Sequence, residues 1–157
     1  MPALSTALRA ALSPDRAAVG VRAASKREAI AALVDLLAAA GKAPDRDALL
    51  KAVLEREALA PTGLGDDCAI PHAQTDAVAE TSVAVVRLAE PVDFGAPDGS
   101  PARLLFLLAG PRDSAAVHLR LLSKLARLLS DPEFRRALLD APDGVALAGL
   151  ILDADEA

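Results

Sequence analysis

The chain has 157 residues, of which 53% are hydrophobic and 25% charged, a composition typical of a soluble globular protein of one domain. Its net charge is −5 and its only aromatic residues are three Phe, which argues against binding a nucleic-acid backbone and against stacking on bases. The single cysteine, Cys68, excludes an internal disulfide. Because we find neither a signal peptide nor an apolar run near the ~20 residues of a membrane span, we expect a cytoplasmic protein with no direct membrane insertion.

The first predicted elements are helices. A short N-terminal helix is expected to stop at Pro14 and Asp15. Ser25 and Glu28 form a capping-box pattern at the start of "SKREAIAALVDLLAAAG", and Gly41 stands where a C-terminal cap is expected. The apolar residues between them recur at helical spacing, which predicts one buried stripe.

A second long helix is predicted over "DRDALLKAVLEREALA". One face of it carries Leu49, Ala52, Val53 and Arg56. Pro61 ends this helix, since proline lacks an N–H and restricts the residue before it. Arg56 is therefore expected near the end of the helix.

The middle of the chain predicts strands. Residues 62–67 are expected to form a loop, and "CAIP" a short extended segment that leads into a turn at His72. Ser82–Leu88 has the β-branched content of a strand, and the turn-rich residues 90–99 are expected to form a loop with a strand edge. Ala102–Gly110 is apolar on both faces, as expected of a central strand covered by helices.

Three helices are predicted after the last strand. Ser114 is a good N-cap for "AAVHLRLLSKLARLLS", which places His118 on a stripe of leucines. Pro132 suits the first position of a shorter helix, and a last helix is expected from Asp143 to Leu152. Helices at both ends with strands between them indicate a layered α/β or α+β domain.

His72 is one of two histidines, and it follows a proline and a turn rich in Gly and Asp. Three interpretations are open: a packed loop histidine, a metal ligand, or a nucleophile. Two histidines and one cysteine are a poor ligand set for zinc, so no metal is expected. A nucleophile must be neutral near pH 7, with one ring nitrogen held by an acceptor and the other exposed. Phosphoryl transfer suits such a site, with Thr62 and the amides near Gly63 and Gly65 around the anion.

Arg56 and His118 each have two interpretations. The guanidinium of Arg56 could lie along the surface or pair with Glu55 or Glu57, or it could bind phosphoryl oxygens through its forked donors. His118 could be a satisfied core histidine, or it could face His72 and assist the transferred group.

Three stretches, "REALAPTGLGDDCAIPHAQTDAV", "EPVDFGAPDGSPARLLFLLAGP" and "HLRLLSKLARLLSDPEFRRALLDA", carry a combined pattern over nearly the whole chain. Together they resemble the enzyme IIA domains of the bacterial phosphoenolpyruvate-dependent phosphotransferase system, of the fructose, mannitol and nitrogen-regulatory type. The resemblance implies a single α/β domain over residues 1–157, with a core at about 4–152 and a mixed sheet flanked by helices.

The resemblance also implies roles for individual residues. His72 would be the phosphorylated histidine, and His118 and Arg56 the second histidine and the arginine of the active site. The phosphoryl group would be held by Thr62, Gly63 and Gly65. Members of the family often have a basic residue where this chain has Gln74, and a serine where it has Pro61.

The expected function is that of a phosphocarrier with no metal and no cofactor. The donor would be a small histidine-phosphocarrier protein, and the acceptor a IIB domain in sugar uptake or a regulated target protein. A regulatory, nitrogen-type IIA is the favoured expectation; sugar uptake and a degenerate, non-phosphorylated binding domain are the alternatives. A loop centred on Phe94, with the apolar rim, is expected to form the docking surface for partner proteins.

Overall fold

A mixed β-sheet forms the middle layer of the molecule. The computed structural model describes residues 8–156. The strands are β1 (Ala17–Val21), β2 (Gly63–Gly65), β3 (Cys68–Ala69), β4 (His72–Gln74), β5 (Ser82–Val92) and β6 (Ala102–Gly110). Their order is β1-β5-β6-β3-β2, and β4 pairs with β6 further along the same edge as β3. β5 is antiparallel to β6, whereas β1 is parallel to β5 and both β3 and β4 are parallel to β6.

Helices cover both faces of this sheet. They are α1 (Lys26–Ala39), α2 (Arg46–Leu59), α3 (Ala115–Leu129), α4 (Pro132–Asp140) and α5 (Gly144–Glu156). Residues 8–11 are also helical, and short 3-10 turns form at Pro14–Arg16 and Arg112–Ser114.

The central strand β6 is buried on both faces. Successive strand residues point to opposite sides. Leu105 and Leu107 pack in the core cluster of α1 and α2, whereas Leu104 and Phe106 pack in the cluster that contains residues of α3, α4 and α5. The expected α/β fold, a mixed sheet between helical layers, is therefore confirmed.

Local capping defines α1 as the sequence predicted. The Ser25 hydroxyl accepts from the amide of Glu28 at 3.2 Å. At the other end Gly41 has a φ of 76°, and the amides of Gly41 and Lys42 return to carbonyls of the last turn at 3.1 and 2.9 Å. A left-handed residue is needed for this cap, which is why glycine stands there.

Several predicted boundaries are wrong. β1 was not predicted, residues 62–67 contain β2, and His72 begins strand β4 instead of ending a turn. β5 continues to Val92, and α5 continues past Leu152. Ser114 does precede α3, but its hydroxyl makes no capping bond. The predicted N-terminal helix lies partly outside the described residues.

Within residues 8–156, no helix combines the length and the apolar character that a membrane crossing requires.

Candidate active site

Strand β4 places His72 beside the end of β6, where His72 pairs with Leu108. The Leu108 amide also donates to the Pro71 carbonyl at 3.1 Å, which ties the residue before His72 to the central strand. The Nδ1 atom of His72 lies 2.8 Å from the carbonyl oxygen of Ile70. A carbonyl can only accept, so Nδ1 carries the hydrogen and Nε2 keeps the lone pair of a neutral ring.

The surroundings of His72 favour that neutral form. Burial is the main cause that lowers its pKa below the ordinary value of 6.5, and the positive charge of Arg56 lowers it further. The hydrogen bond to Ile70 and the negative charge of Glu57 act in the opposite direction. Because the net direction is downward, the imidazole of His72 is uncharged at neutral pH.

Two cavities meet at His72. The larger, of about 640 Å³, is lined by residues of α2, β4 and α3, including Arg56, Gln74 and His118. The smaller, of about 260 Å³, is lined by residues that include Arg56, Thr62 and Gly63. His72 and Arg56 line both cavities, so the two residues border the same accessible surface.

Arg56 is half-buried near the end of α2 and donates from Nη1 to the carbonyl of Ala60 at 3.2 Å. Among the described residues, no ion pair includes Arg56. The alternative of a pair with Glu55 or Glu57 is therefore not what the structure shows, and Glu57 pairs with Lys26 instead. A guanidinium has five N–H donors, and one is used for the helix end. The others are available to an anion in the cavity.

His118 lies in the second turn of α3 and is only 5% exposed. Its ring centre is 5.7 Å from that of His72. Burial, followed by the interaction with His72, lowers the pKa of His118 to about 4. Its Nδ1 atom is buried and has no hydrogen-bond partner in the described part of the chain, so His118 is not a fully satisfied core histidine.

The loop residues Thr62, Gly63 and Gly65 were predicted to bind the phosphoryl group. Both the amide and the hydroxyl of Thr62 donate to the carboxylate of Glu57. The Gly63 amide donates to the carbonyl of Phe94 at 3.2 Å, and Gly65 lies beside Asp98 and lines neither of the two cavities. Thr62 and Gly63 are thus near His72, with their donors already engaged. The phosphoryl-binding roles of Thr62, Gly63 and Gly65 stay predictions.

Glu57 was not predicted as a residue of the site. Leu49, Val53 and Glu57 follow each other at intervals of one helical turn, and all three are buried. A carboxylate on an otherwise apolar stripe was the signal that could have identified it.

Phe94 does not form a docking surface, because its side chain is completely buried. The aromatic ring packs in the core cluster of α1 and α2, with Lys26 Nζ 5.3 Å from the ring centre. Gln74 is exposed and lines the larger cavity, and Pro61 lines the smaller one.

Within the described residues, no three His, Cys, Asp or Glu side chains lie close enough together to bind a metal ion. Cys68 is buried in the apolar layer, and burial raises the pKa of its thiol to about 12. The thiol is therefore protonated at neutral pH and is a poor ligand or nucleophile.

The sequence model of the family described as "Phosphoenolpyruvate-dependent sugar phosphotransferase system, EIIA 2" matches residues 11–153. The chain belongs to this family. The chain is similar to the "PTS system fructose-specific EIIA component" of Haloferax volcanii, with 48% identity over 118 residues, covering 75% of this chain and 77% of that protein.

Solved structures of EIIA proteins have the same fold. The nitrogen regulatory protein IIA-Ntr of Neisseria meningitidis matches with a TM-score of 0.81 and 29% identity, covering 88% of this chain and 94% of that one. The mannitol enzyme IIA of Escherichia coli, solved in a complex with phosphorylated enzyme IIB, matches with a TM-score of 0.77 and 27% identity. That match covers 91% of this EIIA chain and 97% of the mannitol enzyme. EIIA domains are phosphoryl-transfer components, which agrees with the predicted chemistry in its general form.

Proposed function

We propose that this protein is a phosphocarrier that accepts a phosphoryl group on Nε2 of His72 from a small histidine-phosphocarrier protein. The lone pair of Nε2 attacks the phosphorus, and a new N–P bond forms. The P–N bond of the donor breaks, and its electron pair returns to the imidazole of the donor. The observation that carries the proposal is the 2.8 Å contact from Nδ1 to the Ile70 carbonyl, which leaves Nε2 as the nucleophile.

Arg56 and His118 would stabilise the charge that moves during this transfer. The transferred group is negatively charged, and catalysis of phosphoryl transfer depends mainly on positioning and on charge stabilisation. Arg56 lines both cavities at His72 and supplies a fixed positive charge. His118, neutral at pH 7 and 5.7 Å from His72 between ring centres, would orient the group without repelling the incoming donor.

Phosphorylation in a reconstituted system tests this proposal. The protein would be incubated with phosphoenolpyruvate, enzyme I and the histidine-phosphocarrier protein of the same cell, and acid-labile phosphate would be measured. We expect label on the wild type and none on His72→Ala. 31P and 15N NMR of the phosphorylated protein should place the phosphorus on Nε2.

Two results would contradict the proposal. Undiminished label on His72→Ala would exclude His72 as the acceptor. A wild-type protein that folds but takes no label would favour a degenerate binding domain, which is consistent with the substitutions at Gln74 and Pro61.

The acceptor is proposed to be the IIB domain of a sugar permease or a regulated target protein. The 48% identity with a fructose-specific EIIA component supports the first, as does the mannitol enzyme IIA that was solved with phosphorylated IIB. The similarity to IIA-Ntr supports the second. Phosphorylation adds about two negative charges, enough to change binding at the surface of a protein whose net charge is already −5. Transfer of label to a purified IIB domain, compared with phosphorylation-dependent binding of a target, would distinguish these acceptors.

A further inference from the structure

Glu57 is a buried carboxylate with three donors. Its side chain is 4% exposed, and Lys26 Nζ lies 3.0 Å from Oε2. The amide of Thr62 donates to the same oxygen at 2.9 Å, and the hydroxyl of Thr62 donates to Oε1. A carboxylate can be buried when its oxygens are paired in this way, so the arrangement depends on the negative charge of Glu57.

From Glu57 a continuous chain of hydrogen bonds reaches the nucleophile. The amide of Ile70 donates to the carbonyl of Thr62 at 3.2 Å. The carbonyl of Ile70 accepts from Nδ1 of His72 at 2.8 Å. The Thr62 backbone, which Glu57 holds, is therefore directly bonded to the residue that orients the imidazole.

Lys26 also contacts Phe94, which binds the residue that follows Thr62. It is the first residue of α1, and its ammonium group lies 5.3 Å from the ring centre of Phe94. The carbonyl of Phe94 accepts from the amide of Gly63, next to Thr62. The pair of Lys26 and Glu57 thus joins the start of α1, the end of α2, the loop before β2 and the loop between β5 and β6.

We infer that Glu57, with Lys26, is a positioning residue for His72. The pair fixes the backbone of Thr62 and Ile70, and thereby fixes the tautomer and the orientation of the His72 imidazole. This inference rests on the proposed phosphocarrier function. The neighbouring residues Arg56 and Glu57 then have different roles. Arg56 faces the cavity, and Glu57 holds the loop. In this arrangement the hydroxyl hydrogen of Thr62 is donated to Glu57. The hydroxyl therefore stabilises the loop, and its hydrogen is not available to the phosphoryl group.

Glu57→Gln is the first test, because glutamine keeps the size and removes the charge. An amide has one acceptor oxygen, so it cannot accept from the Thr62 amide and hydroxyl on separate oxygens. We expect the single-turnover rate of transfer from the phosphorylated carrier to fall about 100-fold, because a displacement of the imidazole by about 1 Å is enough for a loss of that size. The KM for the carrier should change little. The unphosphorylated variant should also lose the uniform Nδ1–H tautomer of His72 in 15N NMR, and the His72 titration midpoint should move down.

Lys42 and Glu80 supply the matched control. They form an ion pair with the same 3.0 Å distance, but the side chain of Glu80 is 71% exposed and the pair lines neither cavity at His72. Glu80→Gln should leave both the transfer rate and the His72 tautomer as in the wild type. If Glu57→Gln does not fold, Lys26→Met takes its place, and it should lower both the transfer rate and the uniformity of the His72 tautomer.

The transfer rate and the NMR tautomer of His72 distinguish a failure of this inference from a failure of the proposed function. If the wild type takes no phosphate, the phosphocarrier proposal fails, and the NMR tautomer of His72 still decides whether Glu57 positions the ring. If the wild type is phosphorylated and Glu57→Gln keeps both the rate and the tautomer, the positioning role is overturned.

Discussion

The imidazole rings of His72 and His118 lie 5.7 Å apart between their centres, with their planes tilted by 54°. One belongs to strand β4 and the other to helix α3, and both border the same cavity. Because burial holds the pKa of both rings below 6.5, two imidazoles can lie together without repulsion at neutral pH.

Acid should destabilise the protein through His118. Its folded pKa of about 4 is below the ordinary 6.5, so between these values the unfolded chain binds a proton that the folded chain does not. Well above pH 6.5 the ionisation of His118 does not affect stability, and the free energy of unfolding falls as the pH decreases from 6.5 to 4, by about 3 kcal/mol at pH 4. Urea unfolding of the wild type and His118→Gln at several pH values measures the difference. Parallel pH curves for the two proteins would contradict it.

Arg56→Ala should slow phosphoryl transfer by about 100-fold, because one group that stabilises the transferred charge is removed. The pKa of His72 should rise in the same variant, since the positive charge of Arg56 lowers it. Transfer rates and an NMR titration of His72 measure the two effects. Arg46→Ala, at the first residue of α2 and paired with Asp35 and Asp47, is the control that should change neither. A wild-type rate of transfer in Arg56→Ala would show that Arg56 is only a surface residue with no part in the transfer.

Gly63→Ala should destabilise the fold by about 1–3 kcal/mol. A Cβ at this position would lie 2.7 Å from the backbone oxygen of Phe94, and a backbone cannot move aside as a flexible side chain can. Gly149→Ala is the matched control, because a Cβ within α5 would meet nothing within 4 Å. That variant should gain up to about 1 kcal/mol from helix propensity. Equal urea midpoints for Gly63→Ala and the wild type would show that the loop can open at little cost.

Exposed leucines around the cavities should contribute to docking of the donor protein. Leu59 is 83% exposed and Leu119 is 65% exposed, and both line the larger cavity. Leu119→Gln should raise the KM for the phosphorylated carrier about 10-fold with kcat nearly unchanged, since an apolar contact at an interface is lost. Val145, 66% exposed on α5, provides the control substitution Val145→Gln. Equal KM values for the two variants would place the donor elsewhere.

Local signals predicted the long elements well and the short strands poorly. Ser25 and Gly41 mark α1 through hydrogen bonds made within the helix and its caps, so they can be identified from neighbouring residues. By contrast, β1, β2 and β4 have five residues or fewer, and β1 and β4 become strands by pairing with β5 and β6. Such pairing depends on partners far away in the chain, which local propensity does not contain.

The sequence by itself determined the layered α/β class and the family pattern, because motif spacing and apolar periodicity are local properties. Only the tertiary structure decided that Glu57 belongs to the site and that Phe94 is buried. It also decided that Ile70 selects the tautomer of His72. Each of these depends on contacts between elements that meet only when the sheet and its helices assemble, and burial and hydrogen-bond partners exist only in that assembled state.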